Sequence, residues 1–428
     1  MVNNMKETIS LEEFLKNNRK VCIYGVGYYA HAILRILKKK HVVIEAFIVS
    51  DDKKIVAKYE EGIPVFTFTE WKKRKRGAVV IGVSMPAQKV ILDKLLQNGV
   101  NNIYCVSDLD FKCKSIGIMD TRVAAENHGN DIIMDSVNKE LRELFPEHFQ
   151  FRLPFIDELN GYALEYAMRS DLIFVGGTNA LCSHMENEPN FGITKRNCEQ
   201  LENKIVLAGV GWYKYQDDPD EYTMELLKKV LSKQYIHSVR DNYTKEKLQK
   251  IGIENVINTG CLTTWKLNQN LCNRIPISKG KDAILMFTPG RWSEDKKIAD
   301  IVSKNYDKVY CWPQGPTDEN YIVSMCEGVV PIPPNLDALD EFLLNNRSVD
   351  YIGTRLHGGI RCLQRGKRAV IFSIDNRAIE MGRDIKLPVY KDEDMDKLTD
   401  IIHQQINIKI NIPIDKIKQW KKQFCMYT

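Results

Sequence analysis

VDYIGTRLHGGIRCLQRGKRAVIFSIDNRAIEMGR, Val349 to Arg383, is the stretch whose pattern sets the architecture. Val349 to Gly353 is a short apolar run that predicts a strand, and Leu356 to Gln364 predicts a helix that begins almost at once. Arg368 to Ile374 reads as a second buried strand, which turns into another helix through Asp375, Asn376 and Arg377. Strand, helix, strand, helix with connections this short is parallel β/α winding. In an open parallel sheet, ligands bind beyond the carboxyl ends of the strands, where helix N-termini also point. Arg355, His357, Asp375 and Arg377 therefore share one rim. Two guanidiniums, an imidazole and the free N–H groups of two helix starts favour a small anion, phosphate or carboxylate. Gly358 and Gly359 lack side chains and would let a ligand come close to the backbone. Spacing alone fits equally well with a surface arginine beside a core histidine.

The same winding extends on both sides. Upstream, strand Ala283 to Phe287 ends in Thr288-Pro289-Gly290-Arg291-Trp292, with Ser293 as the expected N-cap of the helix Glu294 to Asn305. Strand Lys308 to Trp312 ends in Pro313-Gln314-Gly315, and the helix Leu336 to Leu344 follows. Arg291, Trp292 and Gln314 are rim candidates in this half, suited to stacking on or bonding a sugar. Earlier still, strand Ile116 to Thr121 is followed by the loop Glu126 to Asp131 and the helix Ile132 to Leu144. Strand Asp171 to Val175 ends in Gly176-Gly177-Thr178-Asn179, glycines that either open a strand tip to a cleft or simply make a turn. Strand Tyr235 to Val239 delivers Arg240 and Asp241 before the helix Thr244 to Ile251. These two either pair with each other or leave the arginine facing the cleft.

Nearer the start, strand Lys20 to Tyr24, the turn GVGYYA (Gly25 to Ala30), helix Tyr28 to Lys40 and strand Val43 to Val49 form a G-x-G-x-x-A fingerprint in its strand–turn–helix setting. Gly25 and Gly27 would let a diphosphate approach, and Asp51 or Asp52 could hold ribose hydroxyls. The turn could equally do no more than pack helix on strand. A shorter βαβ pattern over residues 78–106 follows, and the basic run Lys72 to Arg76 reads as a solvated helix end or an anion-facing patch.

The 428 residues imply two or three domains. The expected fold is α/β: two Rossmann-like halves, 111–275 and 276–428, in a GT-B-like arrangement, preceded by a small Rossmann-like N-terminal domain, 1–110. A hydrophobic content of 44% with 27% charged residues is that of a soluble globular chain, and a net charge of +5 gives no nucleic-acid footprint. Eleven cysteines without a C-x-x-C pair, and no apolar N-terminal segment, predict a reduced, cytoplasmic protein. No apolar run is long enough for a membrane helix, so at most peripheral membrane contact is expected. Eight histidines without paired spacing give no support for a metal site.

The segment GTRLHGGI, followed twenty residues after His357 by Arg377 in FSIDNR, resembles the C-terminal signature of the polysaccharide pyruvyl transferases, and the similarity extends over Ser115 to about Tyr390. Arg240-Asp241 matches an Arg-Asp of that family whose arginine takes part in binding phosphoenolpyruvate. Asn127-His128-Gly129-Asn130-Asp131 is similar to its Asn-x-Gly-Asp motif but carries an extra Asn130, and Arg377 stands where characterised members have lysine. The resemblance implies a phosphoenolpyruvate-dependent transferase that makes pyruvate ketals on a saccharide or lipid-linked saccharide acceptor in capsule or exopolysaccharide biosynthesis. It requires no cofactor, though the N-terminal domain could hold a nucleotide or nucleotide sugar. Arg240, Arg355 and Arg377 would bind the anion, His357 would be the acid or a further phosphate donor, and Asp131 or Asp375 the base; Gly176 and Gly177 come to the substrate cleft by their strand-end position. A homo-oligomer is left open. The alternatives are a GT-B-type glycosyltransferase using a nucleotide sugar, a nicotinamide oxidoreductase built on Gly25, Gly27 and Asp51, and a non-catalytic scaffold.

Overall fold

The computed structural model describes residues 10–52, 58–74, 77–106, 115–146, 148–188 and 191–424. The chain divides into two compact units, Met1–Cys113 and Lys114–Thr428. The lapse in periodicity at 108–114, and Lys75 and Arg76 of the basic run, lie outside the described residues.

The first unit is one six-stranded sheet. Its strands are β1 Lys20–Tyr24, β2 Val43–Val49, β3 Tyr59–Glu60, β4 Ile63–Thr67, β5 Ala78–Ile81 and β6 Ile103–Cys105, in the order β3-β4-β2-β1-β5-β6. All pairs are parallel except β3 with β4. The sequence pattern shows four of these strands. It misses β3 and β4 because Gly62 and Pro64 read as a loop, whereas Pro64, lacking an N–H, sits in the strand and faces the two-residue edge strand β3. The basic run begins in the last turn of the short helix Phe68–Lys73, which Thr67 caps, with Lys72 and Lys73 inside it and Arg74 at its C-cap.

The second unit holds two parallel sheets. In the first lobe, β7 Ser115–Asp120, β8 Phe149–Pro154, β9 Leu172–Gly176 and β10 Ile205–Ala208 run in the order β10-β9-β7-β8. The pair β11 His237–Val239 and β12 Val256–Asn258 continues this sheet past β10, through the Val210–Val239 bridge and the bond from Gly209 N–H to the Ser238 carbonyl (2.9 Å). His237 joins the ladder with its ring: Nδ1 accepts from the Leu207 N–H (3.2 Å) while Nε2 lies 2.9 Å from the Ser232 carbonyl, so Nε2 carries the proton. In the second lobe, β13 Asp282–Met286, β14 Val309–Cys311, β15 Val330–Pro331, β16 Val349–Gly353, β17 Ala369–Phe372 and β18 Val389–Tyr390 run β15-β14-β13-β16-β17-β18, all parallel. Every residue of β16 and β17 is buried, as in strands covered on both faces, and the acidic Asp350 within β16 is satisfied by the Tyr306 hydroxyl (2.8 Å) and the Gly280 N–H (3.0 Å).

The carboxyl ends of both sheets meet: the His128 N–H, after β7, donates to the Gln314 carbonyl, after β14 (2.8 Å). Two α/β lobes facing one cleft are the GT-B-like arrangement expected from the winding. Further contacts fasten the lobes, including Arg361 to Asp135 (2.9 Å) and Asn242 N–H to Asp384 (2.7 Å). The last helix, Ile414–Lys422, crosses back to the first lobe, where Ile417, Trp420 and Phe424 join a core with Phe145 and Phe174.

Two local expectations need correction. The helix after β7 is Gly129–Leu144, so Asn130 and Asp131 lie inside its first turn rather than in a preceding loop. The helix after β13 is Trp292–Asn305, starting one residue before Ser293, which therefore cannot cap it; Arg291 holds the N-cap position, and its side chain makes no capping bond.

Candidate active site

Arg240 follows β11 directly, and its side chain is 1% exposed. Its Nε donates to Asp241 (3.2 Å) and Nη2 to the Asn179 amide oxygen (2.5 Å), while Nη1 is buried with no partner. The other Asp241 oxygen accepts the Thr244 N–H (2.7 Å) and caps the helix Asn242–Lys250. The Arg–Asp neighbours thus pair with each other, yet one edge of the guanidinium remains unused. Gly211 makes room for it, since a Cβ there would lie 2.0 Å from Nη2.

Arg355 stands at the N-cap of the helix Leu356–Gln364 after β16. Its Nε donates to the Phe287 carbonyl (3.1 Å) and Nη2 to both oxygens of Asp318 (2.6 Å each). Asp318, itself buried, also accepts the Gln314 N–H (3.1 Å). Arg377 follows β17 and donates through Nε (2.8 Å) and Nη2 to Asp375, whose other oxygen caps the helix Asn376–Ile385. Burial opposes ionisation of Asp375, but the charge and N–H groups of Arg377, with Arg240 behind them, hold its carboxyl below the usual range.

The three guanidiniums and His357 line one cavity of about 80 Å³. Its remaining wall is uncharged and mostly polar, with Asn127, Thr178, Asn179, Thr288, Gln314 and Thr354 beside the apolar Ile133 and Leu356. About 10–15 Å³ admits one water, so the space suits a small anion. His357 is buried in the first helical turn, with Nε2 4.0 Å from the Cys261 sulfur. Burial, then the charges of Arg377 and Arg240, push its pKa down to about 3, so the imidazole is neutral.

The structure therefore brings together Arg240, Arg355, Arg377, His357 and Gln314, with Asp375 bonded to Arg377. Other candidates fall outside this lining. A Cβ at Gly176 or Gly177 would collide with Val137 or Ile133 of the Gly129–Leu144 helix, so these glycines let that helix lie close on β9. Gly358 and Gly359 likewise meet Met286, Gln314 and Ile371, so protein atoms fill the space foreseen for a ligand. Arg291 is turned to Asp392 (2.6 Å), and Asp131 is bonded to His128 Nδ1 (2.9 Å). Asn127, Thr178, Asn179, Thr288 and Thr354 were not singled out, although four of them follow strands, and applying the strand-end rule to every strand would find them. Asp318 has no signal in the sequence.

In the first unit the order of strands reverses between β1 and β5, and Gly25 lies there with φ +117°, where a Cβ would be 2.7 Å from the Gly82 carbonyl oxygen. Gly27 has open space around it. Asp51 accepts the Thr69 N–H (2.8 Å) and an ion pair from Lys94 (3.2 Å). Both carboxylate oxygens thus have protein partners.

Among the described residues no group of His, Cys, Asp and Glu could hold a metal ion, and no helix is long and apolar enough to cross a membrane. A sequence profile of the polysaccharide pyruvyl transferases matches residues 127–376, more than half of the chain, including Arg240, Arg355 and His357 and ending one residue before Arg377. The chain belongs to the polysaccharide pyruvyl transferase family. Among curated proteins none matches its sequence. Solved structures with some likeness include a protein named as a UDP-N-acetylglucosamine 2-epimerase from Listeria monocytogenes (13% identity, 96% of this chain and 98% of that one, TM-score 0.35). Another is a UDP-glucosyltransferase from Polygonum tinctorium (10% identity, 95% and 92% covered, TM-score 0.29). At these scores neither carries an argument about this pyruvyl transferase family member.

The buried imidazoles have a consequence for stability. His357, at about 3, and His237, held near 4 by burial, both stay neutral in the folded state while their unfolded counterparts titrate near pH 6.5. Below that value the unfolded chain binds more protons, so folded stability falls with pH, by ~1.4 kcal/mol per pH unit for each such group. Thermal midpoints from pH 7 to 5 are expected to fall more steeply for the wild type than for His357→Gln.

Proposed function

We propose that the protein transfers a pyruvyl group from phosphoenolpyruvate to two hydroxyls of a saccharide, forming a pyruvate ketal. The observation that carries this reading is the buried guanidinium of Arg240 with its unpartnered Nη1, beside Arg355, Arg377 and His357 on one small cavity. Phosphoenolpyruvate presents a carboxylate and a phosphate, and three fixed cations suit both. Arg240 and Arg355 clamp the anion, and Arg377 neutralises the phosphate. Arginine at 377 binds an anion through two N–H groups but does not readily give up a proton. We therefore assign proton transfer to His357. Asp375 is held by Arg377, and Asp131 does not line the cavity.

In this scheme the bound anion offsets the charges of Arg240 and Arg377, and the imidazole takes up a proton. The imidazolium protonates the methylene carbon of phosphoenolpyruvate, making a methyl group and an electrophilic C2. A sugar hydroxyl adds there and its proton returns to His357. The C2–O bond to phosphorus then breaks, and phosphate leaves with the electron pair. A second hydroxyl closes the ketal, its proton departing with phosphate. Proton uptake on binding is the expected signature. Calorimetric titration with phosphoenolpyruvate in two buffers of different ionisation heat, near pH 7, should show uptake that His357→Gln removes; equal heats in both buffers would count against this role.

The test of the function is thermal unfolding with phosphoenolpyruvate, with uridine and guanosine nucleotide sugars, and with NAD. Each shift is read against the same variant without ligand. A ligand at a hundred times its dissociation constant adds about 2.7 kcal/mol to the state that binds it. Phosphoenolpyruvate alone should stabilise the wild type. Arg355→Ala, which removes a charge and leaves Asp318 buried without its ion-pair partner, should cost about 2–5 kcal/mol in binding. Stabilisation by a nucleotide sugar instead would support a glycosyltransferase.

A further inference from the structure

The cavity has room for the donor anion but not also for a saccharide, so the bulk of an acceptor must lie elsewhere. The first lobe carries a second concavity, an open groove of about 980 Å³. It is built from the turn after β8, from the connection 177–204 and from the start of the helix Glu221–Val230. Among its described residues, that connection has neither helix nor strand, yet it is tightly fastened. Leu159 N–H bonds the Gly192 carbonyl (2.9 Å), Gly192 N–H the Phe155 carbonyl (2.7 Å), and the Thr194 hydroxyl Glu158 (2.7 Å). A long irregular connection held this firmly is characteristic of binding loops. Asn179, bonded to Arg240, and Met185, in the groove wall, are six residues apart, so their Cα atoms lie within ~20 Å at full extension.

We propose that this groove holds sugar units of an unmodified saccharide acceptor, away from the unit that receives the pyruvyl group; the inference rests on the pyruvyl-transfer reading. Its lining has the chemistry that a neutral sugar chain needs. Ile156, 55% exposed, offers apolar surface to sugar C–H faces, and the half-buried Tyr222 ring, with Lys195 Nζ 4.9 Å from its centroid, adds the part of its surface that remains open. Lys195 and Arg196 are engaged by Glu225 (2.5 Å) and Glu158 (3.5 Å). Asp157, Glu186 and Glu221 form no ion pair among the described residues and are left to accept hydroxyl hydrogen bonds. A ketal already on the chain carries a carboxylate, which these three repel, so the groove favours stretches not yet modified.

Saturation-transfer NMR on the full chain with phosphoenolpyruvate present tests this with a panel of neutral hexasaccharides of glucose, galactose, mannose and N-acetylglucosamine. At least one should show transfer, reduced several-fold in both Tyr222→Ala and Ile156→Ala, while stabilisation by phosphoenolpyruvate stays unchanged. The exposed Ile156 site guards against a folding artefact at Tyr222. Binding undiminished in both variants, or no binding by a protein that does bind phosphoenolpyruvate, overturns the inference. A protein that does not bind phosphoenolpyruvate overturns the reading beneath it instead.

Discussion

Arg240→Ala is expected to lower phosphoenolpyruvate affinity by a factor of about 10²–10³, or ~3–4 kcal/mol, within the range for removing one member of a buried, hydrogen-bonded charge pair. The guanidinium is 1% exposed and fixed by Asp241 and Asn179, so little ordering remains to be done when the anion arrives. Its buried Nη1 has no protein partner and gains one from the ligand. Calorimetric titration of both proteins checks the loss, and an affinity within threefold of wild type would remove Arg240 from the site. Because the alanine also strips Asp241 of its partner, Gly211→Ala provides an independent variant. The new methyl would overlap the guanidinium, whose nearest atom is 2.0 Å away, and must push the flexible end of Arg240 aside. The charge stays but the fork moves, so phosphoenolpyruvate affinity should fall while the fold holds.

Trp420→Ala is expected to destabilise the second unit by ~3–5 kcal/mol, the usual cost of emptying a large buried aromatic site. Trp420 is fully buried, with ring centroids 5.0 Å from Phe424, 5.7 Å from Trp265 and 6.3 Å from Phe174. This cluster holds the returning C-terminal helix on the first lobe. The indole N–H is buried without a partner, so Trp420→Phe, which gives up some volume and also an unsatisfied donor, should cost much less. Urea unfolding of both variants checks the contrast. Equal midpoints for alanine and phenylalanine would show that the ring cluster does not hold the lobe. Neither change touches the arginine cavity, so phosphoenolpyruvate binding by the folded fraction should survive both.

Much of this was legible along the chain. The apolar runs at 283–287, 349–353 and 368–374 marked buried parallel strands, and the residues just after strands, Arg240, Arg355 and Arg377, arrived where the winding rule puts them. His357 was reached by the same local logic. The reading failed where rim position was taken to fix side-chain direction. Arg291 follows β13 as Arg355 follows β16, yet Asp392, a hundred residues later, takes its guanidinium. Gly176 and Gly177 follow β9, but helix packing rather than a ligand explains their lack of side chains. The first-unit strands β3 and β4 were hidden by Gly62 and Pro64: Gly62 does make the turn between them, but Pro64 lies within β4, which pairs with β2 on one side and β3 on the other.

By itself the sequence determined the alternation of strands and helices and the list of cations at strand ends. Those follow from periodicity and short connections, which are set by residues near one another in the chain. Only the tertiary structure decided which of these groups act together. Asp318 reaches Arg355, Asn179 reaches Arg240, and Asp392 draws Arg291 away, all across long separations in sequence. Such pairings depend on the order of strands in each sheet and on how the two lobes of the second unit close on each other, and no local pattern encodes either.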